Sequence, residues 1–191
     1  ISPVCPYDSI GHAGGKTFNY YLKKISQKDC IQIKVLFFGN NEEINKCDLA
    51  EYKISFDSIL TSGKLNTDIE HFFWDILGRL FFKIPRQQKF SLFKLKKIIE
   101  HLKRLKKSDA LPEIVELEWT DFVYYAKYIK QKYPQIKLIA SEHDVTYLGL
   151  ERKGLSAKKL ARAKKQELEA LHNCDVVMPH NVKDKNLLVQ D

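Results

Sequence analysis

Three short runs of aliphatic and β-branched residues constrain this chain most. They are residues 31–38 (Ile-Gln-Ile-Lys-Val-Leu-Phe-Phe), 113–119 (Glu-Ile-Val-Glu-Leu-Glu-Trp) and 136–141 (Ile-Lys-Leu-Ile-Ala-Ser). Each has the length and composition of a strand. Between and around them lie helical patterns. Residues 14–28 put Phe18, Tyr21, Leu22 and Ile25 on one face, and residues 91–107 put Leu92, Leu95, Ile98, Ile99, Leu102 and Leu105 on one side with most lysines opposite. Further helices are expected over 68–82, 120–133, 156–172 and 181–189, a first strand over 1–5, a last one over 175–178 and a short edge strand over 50–54. Strands alternating with helices of about 10 to 17 residues read as βαβ units. The expected fold is therefore α/β, a Rossmann-like parallel sheet with helices on both faces. At 191 residues the chain is expected to form one domain over 1–191, and no repeat, low-complexity tract or linker interrupts it. No apolar run approaches the roughly 18 to 20 residues of a membrane span.

In a parallel α/β sheet, ligands bind beyond the carboxyl ends of the strands. That rule selects three loops: residues 11–16, Trp119-Thr120-Asp121, and Glu142-His143-Asp144. The first, Gly11-His12-Ala13-Gly14-Gly15-Lys16-Thr17, opens a helix. Glycines let backbone N–H groups approach an anion, and the helix N-terminus adds partial positive charge. The loop is a candidate for holding phosphate or sugar through His12, Gly14, Gly15 and Lys16. It is not a regular Walker A loop, because three residues rather than four separate Gly11 from Gly15, and Ile10 stands where the first glycine belongs. The plainer alternative is a tight turn with a glycine-rich helix start.

Ser141-Glu142-His143-Asp144 directly follows a strand. An imidazole there titrates near neutral pH and exchanges hydrogen bonds with a hydroxyl, and Asp144 or Glu142 is placed to fix its tautomer. The competing reading is a turn cluster without chemistry, and the shared rim with the glycine loop favours the functional one. No metal site is expected, since the histidines are scattered without ligand spacing, and no Gly-x-Ser-x-Gly elbow marks a hydrolase. Cys5, Cys30, Cys47 and Cys174 form no Cys-x-x-Cys pair and read as reduced thiols.

The net charge of +8 is local: residues 83–107 hold ten Lys or Arg and one acid, Glu100, so that segment carries +9 and the rest −1. Such a distribution argues against a general nucleic-acid binder. It fits a helix lying on an anionic membrane through Lys89, Lys94, Lys96, Lys97, Lys103 and Arg104, with Phe81, Phe82, Phe90 and Phe93 as aromatics near its start. An ordinary solvated lysine face is the alternative. The second basic stretch, 157–165, reads as a solvated face.

The order of these features resembles the N-terminal half of a GT-B glycosyltransferase of the large retaining group called glycosyltransferase family 4. Pro6 through Gly11-His12-Ala13-Gly14-Gly15 is similar to the family's first loop. Pro112-Glu113-Ile114-Val115-Glu116-Leu117-Glu118-Trp119 resembles its "Pro-Asp-Ile-Val-His-x-His" strand, with Glu116 and Glu118 where the family has histidines. Leu138-Ile139-Ala140-Ser141-Glu142-His143-Asp144 resembles its strand followed by His-Asp. Cys174-Asp175-Val176-Val177-Met178, then residues 181–187, looks like its closing strand and helix.

The resemblance implies an acceptor-side domain over 1–191, with a donor-binding domain absent from this chain and the isolated half inactive. It implies a cleft for sugar transfer from a nucleotide-sugar to a glycan or lipid-linked acceptor, in cell-surface polysaccharide or glycolipid synthesis. His143 would contact and orient the transferred sugar, and Gly14 and Gly15 would face donor diphosphate or acceptor. His12, Lys16, Trp119, Asp121, Glu142 and Asp144 would complete the donor and acceptor contacts. No metal or other cofactor is implied beyond the nucleotide-sugar substrate. The expected location is cytoplasmic, at the inner face of the plasma membrane. Two other readings stay open: a P-loop-like nucleotide-binding protein using Gly15-Lys16-Thr17, and a non-catalytic basic binding module.

Overall fold

The computed structural model describes residues 1–63, 65–82 and 90–190. The chain is mixed α/β, with two small parallel sheets flanked by helices, consistent with a Rossmann-like α/β fold. It divides into two compact units, Ile1–Phe72 and Phe73–Asp191.

In the first unit, helix α1 (Ala13–Ile25) buries Gly15, Phe18, Asn19 and Leu22, one face at helical spacing. Strand β1 (Lys34–Gly39) pairs in parallel with β2 (Ser55–Leu60), from Lys34 opposite Ser55 to Gly39 opposite Leu60. Val35, Leu36, Phe37 and Phe38 are all buried, as expected of a parallel strand covered on both faces. Between the strands lie the short helix α2 (Asn41–Asn45) and a 3₁₀ turn at Leu49–Tyr52. Helix α2 starts with a reciprocal capping box: Asn40 Oδ1 accepts from Glu43 N and Glu43 Oε2 from Asn40 N, both at 2.9 Å.

Two sequence expectations change here. The first strand over 1–5 contracts to one parallel bridge, Ser2 opposite Phe37. Pro3 has no N–H for a ladder, and Ser2 Oγ turns back on Val4, accepting from its N at 3.0 Å and lying 2.9 Å from its carbonyl oxygen. The edge strand expected over 50–54 is the 3₁₀ turn. It ends at Lys53 in the left-handed conformation (φ 58°), and the strand starts only at Ser55.

Helix α3 (Leu65–Phe82) carries the boundary between the units. In the second unit, helix α4 (Leu92–Lys107) buries Leu92, Phe93, Ile98, Leu102 and Leu105, and Ser91 caps it. Strands β3 (Ile114–Glu118), β4 (Lys137–Glu142) and β5 (Val176–Pro179) form a parallel sheet in that order. Leu117, Leu138 and Ala140 are fully buried within it, as is Ile136 just before β4. Val123, Ala140 and Leu171 form a core cluster joined by Leu168, Val177 and Leu188.

The helix expected over 120–133 is two helices, α5 (Thr120–Val123) and α6 (Ala126–Lys132). The chain tightens between them, with Tyr125 N donating to Phe122 O and Tyr128 N to Tyr125 O. Buried Tyr125 sits in that break, and its hydroxyl accepts from Ser91 N at 3.2 Å, tying the start of α4 to the sheet's helices. Helix α7 (Thr146–Arg152) was not anticipated from sequence. Helices α8 (Ala157–Leu171) and α9 (Val182–Gln190) follow the pattern.

Leu138 stands fully buried in the middle strand of the sheet. Leu138→Ala should cost about 2–5 kcal/mol through lost transfer energy and a cavity in a close-packed core. The midpoint of denaturant unfolding, read with an unchanged slope, checks it.

Candidate functional site

Parallel register brings the carboxyl ends of β3, β4 and β5 to one rim. Glu118 stands opposite Ser141, and Glu142 opposite Pro179. The residues just past those ends are Trp119, His143 and His180, and their rings form a single stack. Trp119 lies parallel to His143 at 4.1 Å and 8°, and His143 to His180 at 4.0 Å and 23°. Of the three loops expected on one rim, 119–121 and 142–144 form one cluster, with Asp121 on α5 beside it, while the third, 11–16, belongs to the first unit.

His143 is held in that stack at its edge. Its Nε2 lies 2.9 Å from Glu118 Oε2, and both side chains are buried. An ionised carboxylate only accepts, so the Nε2 proton donates to Glu118, and the other ring nitrogen, Nδ1, is the basic one in the neutral imidazole. The tautomer expected to be set by Asp144 or Glu142 is instead set by Glu118, where the resemblance had a histidine. His180 Nε2 lies 3.0 Å from Ser141 Oγ. Burial, then the neighbouring His143, lowers the His180 pKa and favours its neutral form.

The stack has a strained foundation. Trp119 has φ 65° and ψ 144°, a conformation that bulky L-residues avoid. It persists because Trp119 N donates to Ser141 O, Phe122 N donates to Trp119 O, and the indole is pinned on His143.

Beneath the stack are two buried carboxyls. Glu142 is 1% exposed and lies 2.5 Å from Thr120 Oγ1. Burial pushes its pKa up to about 8 against the opposing pull of the Thr120 hydrogen bond, with repulsion from Glu167, Asp121 and Asp184 adding to the rise. Glu167 accepts from Thr146 N at 2.7 Å and Tyr147 N at 3.0 Å, at the start of α7. Burial moves its pKa up to about 7 despite those donors. Asp144 is exposed, and its carbonyl accepts from Thr120 Oγ1 at 2.7 Å.

The glycine loop lies in the first unit. His12 is the N-cap of α1, and its Nδ1 accepts from Gly15 N at 3.0 Å, so that donor is already occupied. Gly15 is needed for space: a Cβ there would collide with the Ile10 and His12 side chains. Lys16 is exposed, and Gly14 is half-buried in the first turn of α1. The strut behind the loop is Lys23, 2.5 Å from Asp8 Oδ1 and 3.2 Å from Asp48 Oδ2. The hydrogen bond from Lys23 holds the Asp8 carboxyl below its usual range.

Of the basic residues, Lys89 lies outside the described residues. Lys94 lies over the Phe122 ring at 5.3 Å, Lys96 over Trp74 at 4.8 Å and Lys97 over Phe93 at 5.2 Å. Lys103 is exposed, and Arg104 Nη2 lies 2.9 Å from His101 Nδ1. Phe93 is a core residue, and Phe90 packs on Tyr125 and Tyr128, so these two are not the exposed aromatics expected of them. The side chains of Phe81 and Phe82 lie outside the description.

Sequence reasoning missed Glu118, Thr120, His180 and Glu167. Glu118 and His180 were within reach of the strand-end rule, since each ends or follows a strand of the sheet. Thr120 stood inside the selected loop 119–121 but was given no role of its own, and Glu167 carried no such signal, because its role comes from a helix packed against the loop. Among the described residues, no group of three His, Cys, Asp or Glu side chains stands close enough to hold a metal ion.

The positive φ at Trp119 makes a direct prediction. Trp119→Gly should unfold later than Trp119→Ala, by about 1 kcal/mol or more, because glycine carries no penalty in that conformation while both variants lose the indole. Paired denaturant titrations of the two variants check it. No protein-family model matches the chain, and no curated protein or solved structure matches it.

Proposed function

We propose that the rim formed by Trp119, His143 and His180 is the sugar-handling surface of a GT-B-type glycosyltransferase. The transferase would take a nucleotide-sugar donor and a glycan or lipid-linked acceptor, in the synthesis of cell-surface polysaccharide or glycolipid. The observation that carries this reading is the Glu118–His143 hydrogen bond at the end of a parallel strand. It commits Nε2 to the protein and makes Nδ1 the acceptor for a ligand hydroxyl. Rings on both faces hold the imidazole in place, so its role is to orient a sugar by its edge. Trp119 adds an aromatic plane, of the kind that packs well on the C–H face of a pyranose.

The glycine loop supports the same reading less directly. With Gly15 N taken by His12, anion binding there would use the remaining free N–H groups of the first turn and the exposed Lys16. A P-loop-like cradle needs more open backbone donors than that.

A second observation bears on where the reaction would take place. Helix α3 exposes Leu65, Ile69, Phe72, Phe73, Ile76 and Leu80, with Leu65 76%, Phe72 69% and Leu80 68% exposed. These positions fall on one face about 100° wide. Lys96 of α4 lies over the Trp74 ring, which falls on the side of α3 away from that stripe. An exposed apolar helix stripe suits a bilayer surface, and the basic charge of residues 83–107 favours an anionic one. No helix among the described residues is long and apolar enough to cross a membrane. Peripheral attachment at the cytoplasmic face of the plasma membrane is the location that fits this proposal.

Sugar release and transfer from a panel of nucleotide-sugars, assayed with the native protein, tests the first part. His143→Ala should reduce transfer by roughly 10²- to 10⁴-fold, and a variant retaining the native rate would remove His143 from the mechanism. Co-sedimentation with vesicles tests the second. Binding should require anionic lipid and weaken in both Phe72→Ser/Phe73→Ser and Lys96→Glu/Lys97→Glu. Equal binding to neutral vesicles, or none to anionic ones, overturns the attachment.

A further inference from the structure

A count of protons around Thr120 goes beyond the transferase reading. The Thr120 hydroxyl carries one hydrogen. Its oxygen lies 2.7 Å from the Asp144 carbonyl oxygen and 2.5 Å from Glu142 Oε2. A carbonyl oxygen cannot donate, so the Thr120 hydrogen goes to Asp144. The contact with Glu142 then needs a hydrogen of its own, and only a protonated carboxyl supplies it. Glu142 Oε1 agrees with this, being buried with no hydrogen-bond partner among the described residues. Leaving a neutral carboxyl oxygen unpaired costs far less than leaving half of a buried carboxylate unpaired.

We infer that Glu142 is a neutral carboxylic acid that latches the turn carrying His143, through a relay from Glu142 Oε2–H to Thr120 and from Thr120 Oγ1–H to the Asp144 carbonyl. Glu142 is thus a positioning residue. Its side chain holds the turn on one side of His143, while its own carbonyl accepts from His180 N at 3.1 Å on the other. Both ends of the imidazole's setting pass through one residue. When Glu142 ionises, its carboxylate outcompetes the carbonyl for the single Thr120 hydrogen. The Asp144 carbonyl loses its donor, and the latch opens.

The surroundings favour the proton. Acidic groups approach from each neighbouring helix: Asp121 from α5, Glu167 from α8 and Asp184 from α9. Glu167 accepts two backbone N–H groups, which suits its charged form, and Asp184 is bonded by Asn181 Nδ2 at 2.6 Å. Cys174, which precedes β5, stays a neutral thiol, since burial pushes its pKa up to about 12. The basic groups nearby are His143, committed to Glu118, and His180, with its pKa lowered. None of these supplies a fixed cation to Glu142. With its pKa raised to about 8, the latch is closed through neutral pH and opens as pH rises through that value. The sign for stability follows. A carboxyl raised from 4.5 contributes fully below 4.5, and its contribution is lost as pH rises through about 8.

Carbon-13 NMR of the glutamate side-chain carboxyls in the native protein tests the inference. Glu142 is assigned through bonds to its backbone, so the reading does not depend on any variant folding. Its carboxyl carbon should stand at the protonated position at pH 7 and titrate near pH 8. The His143 and His180 ring signals should shift with the same midpoint. In Glu142→Gln the side-chain amide donates to Thr120 at every pH, so that step in the histidine signals should vanish. In Thr120→Val the step should vanish for want of the relay. A Glu142 midpoint near the ordinary glutamate value, about 4.3, overturns the neutral acid. Histidine signals that ignore the Glu142 midpoint overturn the latch.

Discussion

The parallel ladder of β3, β4 and β5 is the constraint on which the candidate site depends. Its register sets Glu118 beside Ser141 and Glu142 beside Pro179, so the three strands finish within one residue of one another. Ends this close let the residues that follow them, Trp119, His143 and His180, meet as a stack across strands although they are far apart in the chain. A slip of one residue would turn each ring to the opposite face of the sheet. The ladder is kept in register by what it buries. Leu117, Leu138 and Ala140 are fully enclosed, and Asp175 Oδ2 accepts from Leu138 N at 2.7 Å, pinning β5 to β4 before the strand begins.

On that frame, the rim stores unfavourable features that the surrounding fold tolerates. Trp119 occupies a backbone conformation suited to glycine, and Glu142 and Glu167 are buried acids with few compensating charges. Features of this kind gather where a side chain must be held in one place. All three converge on the loop that carries His143. By contrast, the basic helix α4 is conventional in its packing. Its apolar face enters the core, and Lys94, Lys96 and Lys97 set their ammonium groups over aromatic rings. The exposed apolar surface belongs to α3 instead.

The first unit shows how a glycine-rich helix start is used by the protein itself. Gly15 is small because Ile10 and His12 fill the space beside it, and its N–H is capped by His12. Behind it, Lys23 joins Asp8 to Asp48, fixing the loop that leads into α1. Nearby, the Cys5 and Cys47 thiols are neighbours: Cys5 Sγ lies 3.1 Å from Glu43 O, and the interaction with Cys5 lowers the Cys47 thiol to about 7. The sequence had offered no pairing for these cysteines.

Periodicity alone determined the class of this fold. Alternating buried strands and amphipathic helices admit few arrangements besides a parallel α/β sheet, and the strand-end rule then located residues 119–121 and 142–144. That reasoning works because backbone hydrogen bonding and burial follow local pattern. It failed where side chains decided the outcome. Pro3 and the Ser2 hydroxyl reduced the first strand to a bridge, and Tyr125 split one helix into two. The partner of His143 was likewise a tertiary decision. Asp144 and Glu142 are its neighbours in the chain, yet strand pairing sets Glu118 against its Nε2 and sends the Glu142 side chain to Thr120. Hydrogen-bond partners are set by which strands lie side by side, and that distance is invisible along the chain.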